Sequence, residues 1–408
     1  MRKVKKYLVV FVLLFSLLGF SKELNVWTCY GESTVEYKNF EAMGKMFEKE
    51  TGIKIKWIPI TDLTDLDSKL RVSAPAGVGP DLLVTVPHDS IGKWVKQNIL
   101  KPVDSILAEE LKNFTDSALM AVRYDGKAYG LPYTVESVGL VYNKKYVSQP
   151  PKDWSEIIQI SEKLKSQGIN GIVFPAGEAY HMYCILRGFG GYIFKWENNQ
   201  YNIQDIGMNN EGAYQAIAFL KELFDRGILS KVLMDSSSMH SFSTGAFEEG
   251  KAAFQINGPW VIPGASKMGI DCGVVPIPKL PNGEMPKPFM GVQMIAFNNY
   301  SRNQTDALKF AKYITSHDNM LKFALETNRV VARKSVIDSQ EIKSNPLISG
   351  WSQQAVYGEP MPNIPEMSVV WTAWKDSLPL MYSGKQDIQK TLDELVEVLH
   401  NKLKMMQE

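Results

Sequence analysis

The sequence predicts an α/β fold built on two mostly parallel sheets flanked by helices. Three observations carry this. From residue 23 onward, short runs of strand character alternate with stretches of helical spacing, the pattern of parallel strands joined by crossover helices. The alternation starts afresh after residue 139. The chain has 408 residues, more than one ordinary domain at roughly 150 residues each. No repeat, low-complexity tract or Gly/Ser linker separates the halves, so ordered crossovers should join them across a cleft. Open α/β sheets bind ligands beyond the carboxyl ends of their strands, which makes that cleft the default site.

In the first half, Leu24, Val26 and Thr28 alternate as a strand over Glu23–Thr28. Phe40, Met43 and Phe47 recur at helical spacing, with Gly52 where the helix should stop. Residues 53–57 alternate again, and the apolar run Leu82-Leu83-Val84 reads as a strand buried on both faces. Ile91, Trp94, Val95 and Asn98 begin another helix.

In the second half, residues 139–143 form the first strand. Asp153 and Glu156 make a capping-box pattern opening a helix that ends at Gly168. Residues 172–174 are a strand, residues 214–224 a helix closed by Gly227, and residues 252–257 a strand. One long helix is expected over 306–326. From Pro346 onward the chain reads as helical, interrupted near Glu359–Pro365.

The start of the chain speaks to compartment. Arg2, Lys3, Lys5 and Lys6 precede an apolar run from Tyr7 to Leu18, and Gly19 and Ser21 supply small residues for cleavage. Residues 1–21 thus read as a cleaved signal peptide, too short in its apolar part to span a bilayer. No cysteine precedes Cys29, so there is no cysteine near the cleavage point for a lipid anchor, and the mature chain should be free and periplasmic. Losing four positive charges with the leader takes the formal net charge from +1 to −3. Without a basic run, a mildly acidic protein is not a nucleic-acid binder. Cys29, Cys184 and Cys272 form no disulfide framework: one bridge and three buried thiols are both compatible with the spacing.

Catalytic and cofactor motifs are missing. His88, His181, His240, His317 and His400 make no metal-ligand spacing, so neither a metal nor a cofactor is expected. Gly188-Phe189-Gly190-Gly191 is not a dinucleotide fingerprint, and there is no phosphate loop or nucleophile elbow. The residues select no acid/base pair, and the expectation is that the chain is not an enzyme.

What the sequence offers instead is aromatic surface. Trp260 follows the turn Asn257-Gly258-Pro259 directly after a strand, and Trp371 follows a Pro-rich loop into a helix. Both positions suit a cleft wall better than a core. Flat rings beside carboxylates match a sugar, whose C–H faces stack and whose hydroxyls accept and donate hydrogen bonds. Trp374, one turn beyond Trp371, is expected to pack internally.

Several blocks in order resemble the maltose/maltodextrin-binding proteins of bacterial ABC sugar importers, within family 1 of the extracellular solute-binding proteins. They are Phe47-Glu48-Lys49-Glu50-Thr51-Gly52-Ile53-Lys54, Gly79-Pro80-Asp81, Ala121 to Lys127, Val141-Tyr142-Asn143-Lys144, Ile256 to Trp260, Lys287-Pro288-Phe289 and Met361 to Pro365. The resemblance implies a two-lobed periplasmic binding protein fold with three hinge crossovers, near 134–139, 289–295 and 341–347. It implies an N-lobe of residues 22–135 and 295–341 and a C-lobe of residues 139–289 and 347–408. It also implies a monomer that closes on maltose, maltotriose, trehalose or a longer dextrin and presents it to a membrane permease.

By matching position, the resemblance makes Trp260, Trp371 and Tyr180 stacking rings, and Glu178, Glu136, Asp89 and Asp67 polar contacts. The chain also departs from the family. Ser90 stands where an arginine usually partners the Asp89 position. Thr85-Val86-Pro87 replaces a stretch that carries a tryptophan and includes an insertion. His181 stands for the usual phenylalanine, and the loop Cys29–Glu36 is longer. The C-lobe half of the implied site is intact and the N-lobe half rewritten, so the identity of the sugar stays open. A different oligosaccharide, another ligand such as a metal held by cleft tyrosines, and an exported glycan-processing enzyme are the competing readings.

Overall fold

A computed structural model describes residues 22–197 and 200–407; the expected signal peptide, residues 1–21, lies outside them. The strand Glu23–Thr28 buries Leu24, Val26, Trp27 and Thr28, and pairs in parallel with Lys54–Pro59 and Leu82–Pro87. Leu82 to Val86 are all buried, as a strand covered on both faces requires. The full first sheet runs in the order Val330–Val331, Gly130–Glu136, Phe289–Phe297, Leu82–Pro87, Glu23–Thr28, Lys54–Pro59. A second sheet runs Cys272–Val275, Gly139–Asn143, Ala252–Asn257, Asn170–Val173.

Both sheets are mixed, where the spacing predicts mostly parallel ones. In the first, Phe289–Phe297 is antiparallel to Leu82–Pro87 and to Gly130–Glu136. In the second, only Ala252–Asn257 with Asn170–Val173 is parallel. The reason is topological. Gly130–Glu136 carries the chain out of the first sheet, through Ser137-Val138, into Gly139–Asn143 of the second. Phe289–Phe297 brings it back beside the exit strand, with Gly291 opposite Glu136, and an exit and a return side by side must run antiparallel. The short strand Glu359–Pro360 then pairs with Phe289 and Met290.

Helices form where apolar spacing and caps agree. Val35–Thr51 buries Phe40, Met43 and Phe47, starts at Thr34 accepting from Tyr37 N–H, and stops at Gly52 with φ 73°. Trp154–Lys165 starts at Asp153, which accepts from Ser155 and Glu156 N–H. The Glu156 carboxylate reaches back to Lys152 N–H, one residue earlier than a capping box prescribes. Glu211–Asp225 buries Ile217, Leu220 and Phe224. The single helix expected over 306–326 is two, Gln304–Ile314 and His317–Thr327. Thr315 Oγ1 bonds back to Ala311 O, and the Ser316 side chain caps the second helix, so local polar bonds outcompete continuity.

Beyond Pro346 the helices are Pro346–Ala355, Met367–Tyr382 and Ile388–Gln407, interrupted at Glu359–Pro365 as the prolines require. All three cysteines are free thiols. Among the described residues no helix is long and apolar enough to cross a membrane.

Candidate ligand-binding site

The aromatic wall is assembled by four elements. The fully buried strand Ala252–Asn257 ends at Asn257, whose Oδ1 accepts the Gly258 N–H at 2.9 Å. The chain then turns through Pro259–Val261 and leaves Trp260 half-buried. A Cβ on Gly258 would strike the Trp260 ring, so the turn needs glycine there. Helix Ala179–Phe189 opens directly after Glu178 and presents Tyr180 and His181. The returning strand supplies Phe289.

These rings form a row. Trp260 lies 6.4 Å from Tyr180, Tyr180 6.3 Å from Phe289, and Phe289 5.8 Å from Trp371 at 76°. Trp371 stands in the first turns of Met367–Tyr382. Tyr183 stacks on Phe289 at 3.6 Å and meets Trp374, which is fully buried and packs internally as expected. Sequence reasoning missed Phe289 as the link, because its block was informative only about a crossover.

The polar groups divide. Glu178 bonds His181 Nδ1, and His181, with the neighbouring His240, outweighs burial and holds the Glu178 carboxyl below its ordinary range. Glu136 is buried and already engaged: Thr134 Oγ1 and Gln293 Nε2 donate to it at 3.1 and 3.2 Å, and Arg329 pairs with it. Arg329 also pairs with Glu36 at 2.8 Å and lies 5.1 Å from the Tyr30 ring. Burial opposes its charge, but Tyr30, Glu136 and Glu36 outweigh that and keep the guanidinium ionised. Nothing in the sequence singled out Arg329, a lone arginine between a helix and a strand.

Asp89 sits in the turn His88–Ser90 with Oδ1 buried and unpartnered, and burial pushes its carboxyl up. Asp67 has other work: it accepts from Trp94 Nε1 at 2.7 Å and pairs with Lys93 at 3.1 Å, so it braces the helix at Trp94. Burial first, and then Glu136, Glu178 and Asp89, push the Tyr180 phenol up. It therefore stays a hydroxyl, and carboxylates carried by both sheets converge on it.

The insertion at Thr85 is a bulge. Ile295 pairs with Val84 and Met294 with Val86, which leaves Thr85 unpaired at φ 61°. Its hydroxyl bonds Thr28 Oγ1 at 3.0 Å. A β-branched residue in that region costs about 1–3 kcal/mol, held here by complete burial.

A cavity of about 850 Å³ lies elsewhere, between Met120–Asp125, Tyr183–Tyr201 and Glu359–Ile364. Several of its polar side chains are already engaged. Arg187 and Tyr183 donate to Glu359, Tyr201 donates to Pro360 O, and Arg123 pairs with Asp104. The aromatic row, with the partnerless Asp89 Oδ1 on the facing sheet, is therefore the stronger ligand site. Among the described residues no group of three or more His, Cys, Asp and Glu side chains could hold a metal.

The profile of the bacterial extracellular solute-binding proteins matches residues 42–350. The chain belongs to this family.

Similar members include the galactooligosaccharide-binding protein of Bacillus subtilis, 32% identical over 88% of this chain and 85% of that one. The maltodextrin-binding protein MdxE of the same organism is 32% identical over 90% and 88%. Among solved structures, the Thermus thermophilus maltotriose-binding protein bound with maltotriose superposes with a TM-score of 0.84 at 29% identity, covering 93% of this chain and all of that one. A cyclo/maltodextrin-binding protein complexed with maltotetraose gives 0.80 at 31% identity, covering 96% and 99%. The two-lobed α/β fold expected from the sequence is thus shared with solved members of the family. This solute-binding protein carries, on that fold, a ring row that crosses from one sheet's helices to the strand joining both.

Proposed function

We propose that this solute-binding protein captures an α-glucan oligosaccharide of the maltodextrin class outside the cytoplasm and presents it to an ABC permease. One observation carries the reading: Tyr180, in the row that links half-buried Trp260 and Trp371 through the buried Phe289, has Glu136, Glu178 and Asp89 close enough to push its phenol up. The names of the similar proteins, maltodextrin-, maltotriose- and galactooligosaccharide-binding, agree with an oligosaccharide. We assign Trp260, Trp371 and Tyr180 to stacking and Glu178 and Asp89 to hydroxyl contacts. Glu136 acts from within its arginine network and Asp67 from the periphery. The lobes are taken as residues 22–135 with 295–341, and 139–289 with 347–408. The protein works as a monomer, released by cleavage of its leader, and trehalose is within its range.

The mechanism is closure. Sugar docks first on the rings, each stack contributing on the order of 1 kcal/mol beyond area burial. Micromolar binding needs about 8 kcal/mol, so stacking alone falls short. Hydrogen bonds to charged groups, at about 1.5–3 kcal/mol each, supply the rest once the lobes close and exclude water. Ligand favours the closed state because only there does it touch both lobes.

Trp260→Ala should weaken maltotriose binding at least tenfold, about 1.4 kcal/mol, in calorimetry, with cooperative unfolding retained. Unchanged affinity sinks the assignment. The same titrations with maltose, trehalose, longer dextrins and a galactooligosaccharide rank the sugars. The galactooligosaccharide arm has its own warrant in the Bacillus subtilis relative. Chromatography of the sugar after incubation separates a binder, which returns it intact, from a glycan-processing enzyme.

A further inference from the structure

We propose that His181 is a positioning residue of this site: as a doubly protonated imidazolium it ties the Glu178 carboxylate to the turn that carries Trp260, and so makes sugar binding weaken as pH rises. The inference rests on the site reading above and goes beyond it, because it assigns a protonation state and a pH response to a group that need not touch the sugar.

The geometry decides the protonation. His181 is buried, and each ring nitrogen meets an acceptor. Nδ1 faces Glu178 Oε2. Nε2 faces Asn257 Oδ1 at 3.2 Å. The identity of that amide atom follows from its other bond, since Oδ1 also accepts the Gly258 backbone N–H at 2.9 Å. A flipped amide would set NH2 against a fixed N–H donor, which a buried pair cannot tolerate. At Nδ1 the partner is the Glu178 carboxylate, which when ionised can only accept. A neutral imidazole donates from one nitrogen only. It would leave the other lone pair pointing at an oxygen, either at Glu178 or at Asn257.

Among the described residues, Glu178 is the carboxylate bonded to the ring. On its own helix, Glu178 precedes the ring, the Tyr180 ring lies edge-on at 5.5 Å, and the Cys184 thiol donates to the His181 carbonyl. Burial pushes that thiol up to about 12, so it stays neutral. From helix Met239–Glu248, His240 approaches to 5.8 Å, and burial lowers its pKa against the pull of Glu178. Lys375 of Met367–Tyr382 acts on His240. Asn257 and Trp260, the latter at 6.5 Å and 89°, complete the shell from the strand and turn.

The consequence is mechanical. Glu178 and the Asn257–Trp260 turn come from separate elements, and His181 joins them through one ring. When it loses its proton, one link becomes a repulsion between lone pairs, and either the carboxylate or the stacking tryptophan is freed from its place.

The test is maltotriose affinity by calorimetry on the full chain from pH 5.5 to 8.5, an interval that brackets ordinary histidine titration at about 6.5. Wild type should lose at least fivefold affinity across it. His181→Phe, which keeps a ring and removes both nitrogens, should bind more weakly at pH 5.5 and show a flat profile. Asn257→Asp keeps the acceptor for Gly258 and sets a second carboxylate against Nε2, so its fall in affinity should move to higher pH. Ring-nitrogen NMR, with the His181 signals assigned by their loss in His181→Phe, should show both nitrogens protonated at pH 6. A wild type that binds with one affinity at all pH values, or a His181 ring neutral at pH 6, overturns this inference while leaving the site reading intact. If instead Trp260→Ala binds as wild type does, the site reading fails first.

Discussion

Two buried histidines meet opposite kinds of partner. His181 meets two acceptors, as described. His88 meets one of each kind: Val292 N–H donates to Nδ1 at 3.0 Å, and Nε2 donates to Met361 O at 3.0 Å. A neutral imidazole satisfies both, and burial pushes the His88 pKa below its ordinary 6.5. The folded value then lies below the unfolded one, so the unfolded chain binds more protons as pH falls. The stability from His88 is complete above about pH 6.5 and is lost below it. Urea unfolding between pH 7.5 and 5 should therefore show stability falling with acid, and His88→Gln should reduce that slope. An unaltered slope would refute the assignment. Asp89, raised by burial, works in the opposite sense, which is why the comparison is between variant and wild type.

At the scale of elements, close approach matters as much as periodicity. Helix Pro346–Ala355 opens at Asn345, whose side chain accepts from Leu347 and Ile348 N–H, and lies against the strand Cys272–Val275. A Cβ on the buried Gly350 would press into the Val274 backbone. Gly350→Ala should cost about 1–3 kcal/mol by overpacking, seen as a lower urea midpoint at constant slope. No change in midpoint would mean the helix can shift freely. Periodicity revealed helices such as Val35–Thr51 and Glu211–Asp225 and strands such as Glu23–Thr28, Leu82–Pro87 and Ala252–Asn257, because both leave a local signature. It did not reveal the strands Gly130–Glu136 and Phe289–Phe297. They are buried along almost their whole length, so neither alternates, and Gly130, Pro132 and Gly291 dilute any strand pattern.

At the scale of the molecule, the passage between the sheets is pinned from several sides. Arg329 joins Glu36 at the start of a helix to Glu136 at the end of the exit strand. Such buried charges are costly to uncouple, about 3–5 kcal/mol when one partner is lost. His88 clasps the returning strand at Val292 and the loop at Met361. Asn363 Nδ2 donates to Ala121 O and Arg123 O, fastening that loop to the first sheet's side, while the helix after it carries Trp371 on the second. A ligand spanning both sides should stabilise the whole fold. Maltotriose at 100 times its Kd should add about 2.7 kcal/mol by mass action and raise the Tm by a few degrees. A Tm indifferent to millimolar maltotriose, trehalose and galactooligosaccharide alike would exclude these sugars as ligands.

The sequence by itself determined the α/β class and the family, and it marked Trp260 and Trp371 as rings set just after a turn and a Pro-rich loop. Those depend on local periodicity, on turn chemistry and on ordered blocks along the chain. Only the tertiary structure decided what the polar residues do. Glu136 is bound to an arginine 193 positions away, His181 to an asparagine 76 away, and Asp67 is drawn off to Trp94. A side chain's charge and hydrogen bonds are set by whatever the fold brings against it, and at such separations no local pattern carries that information.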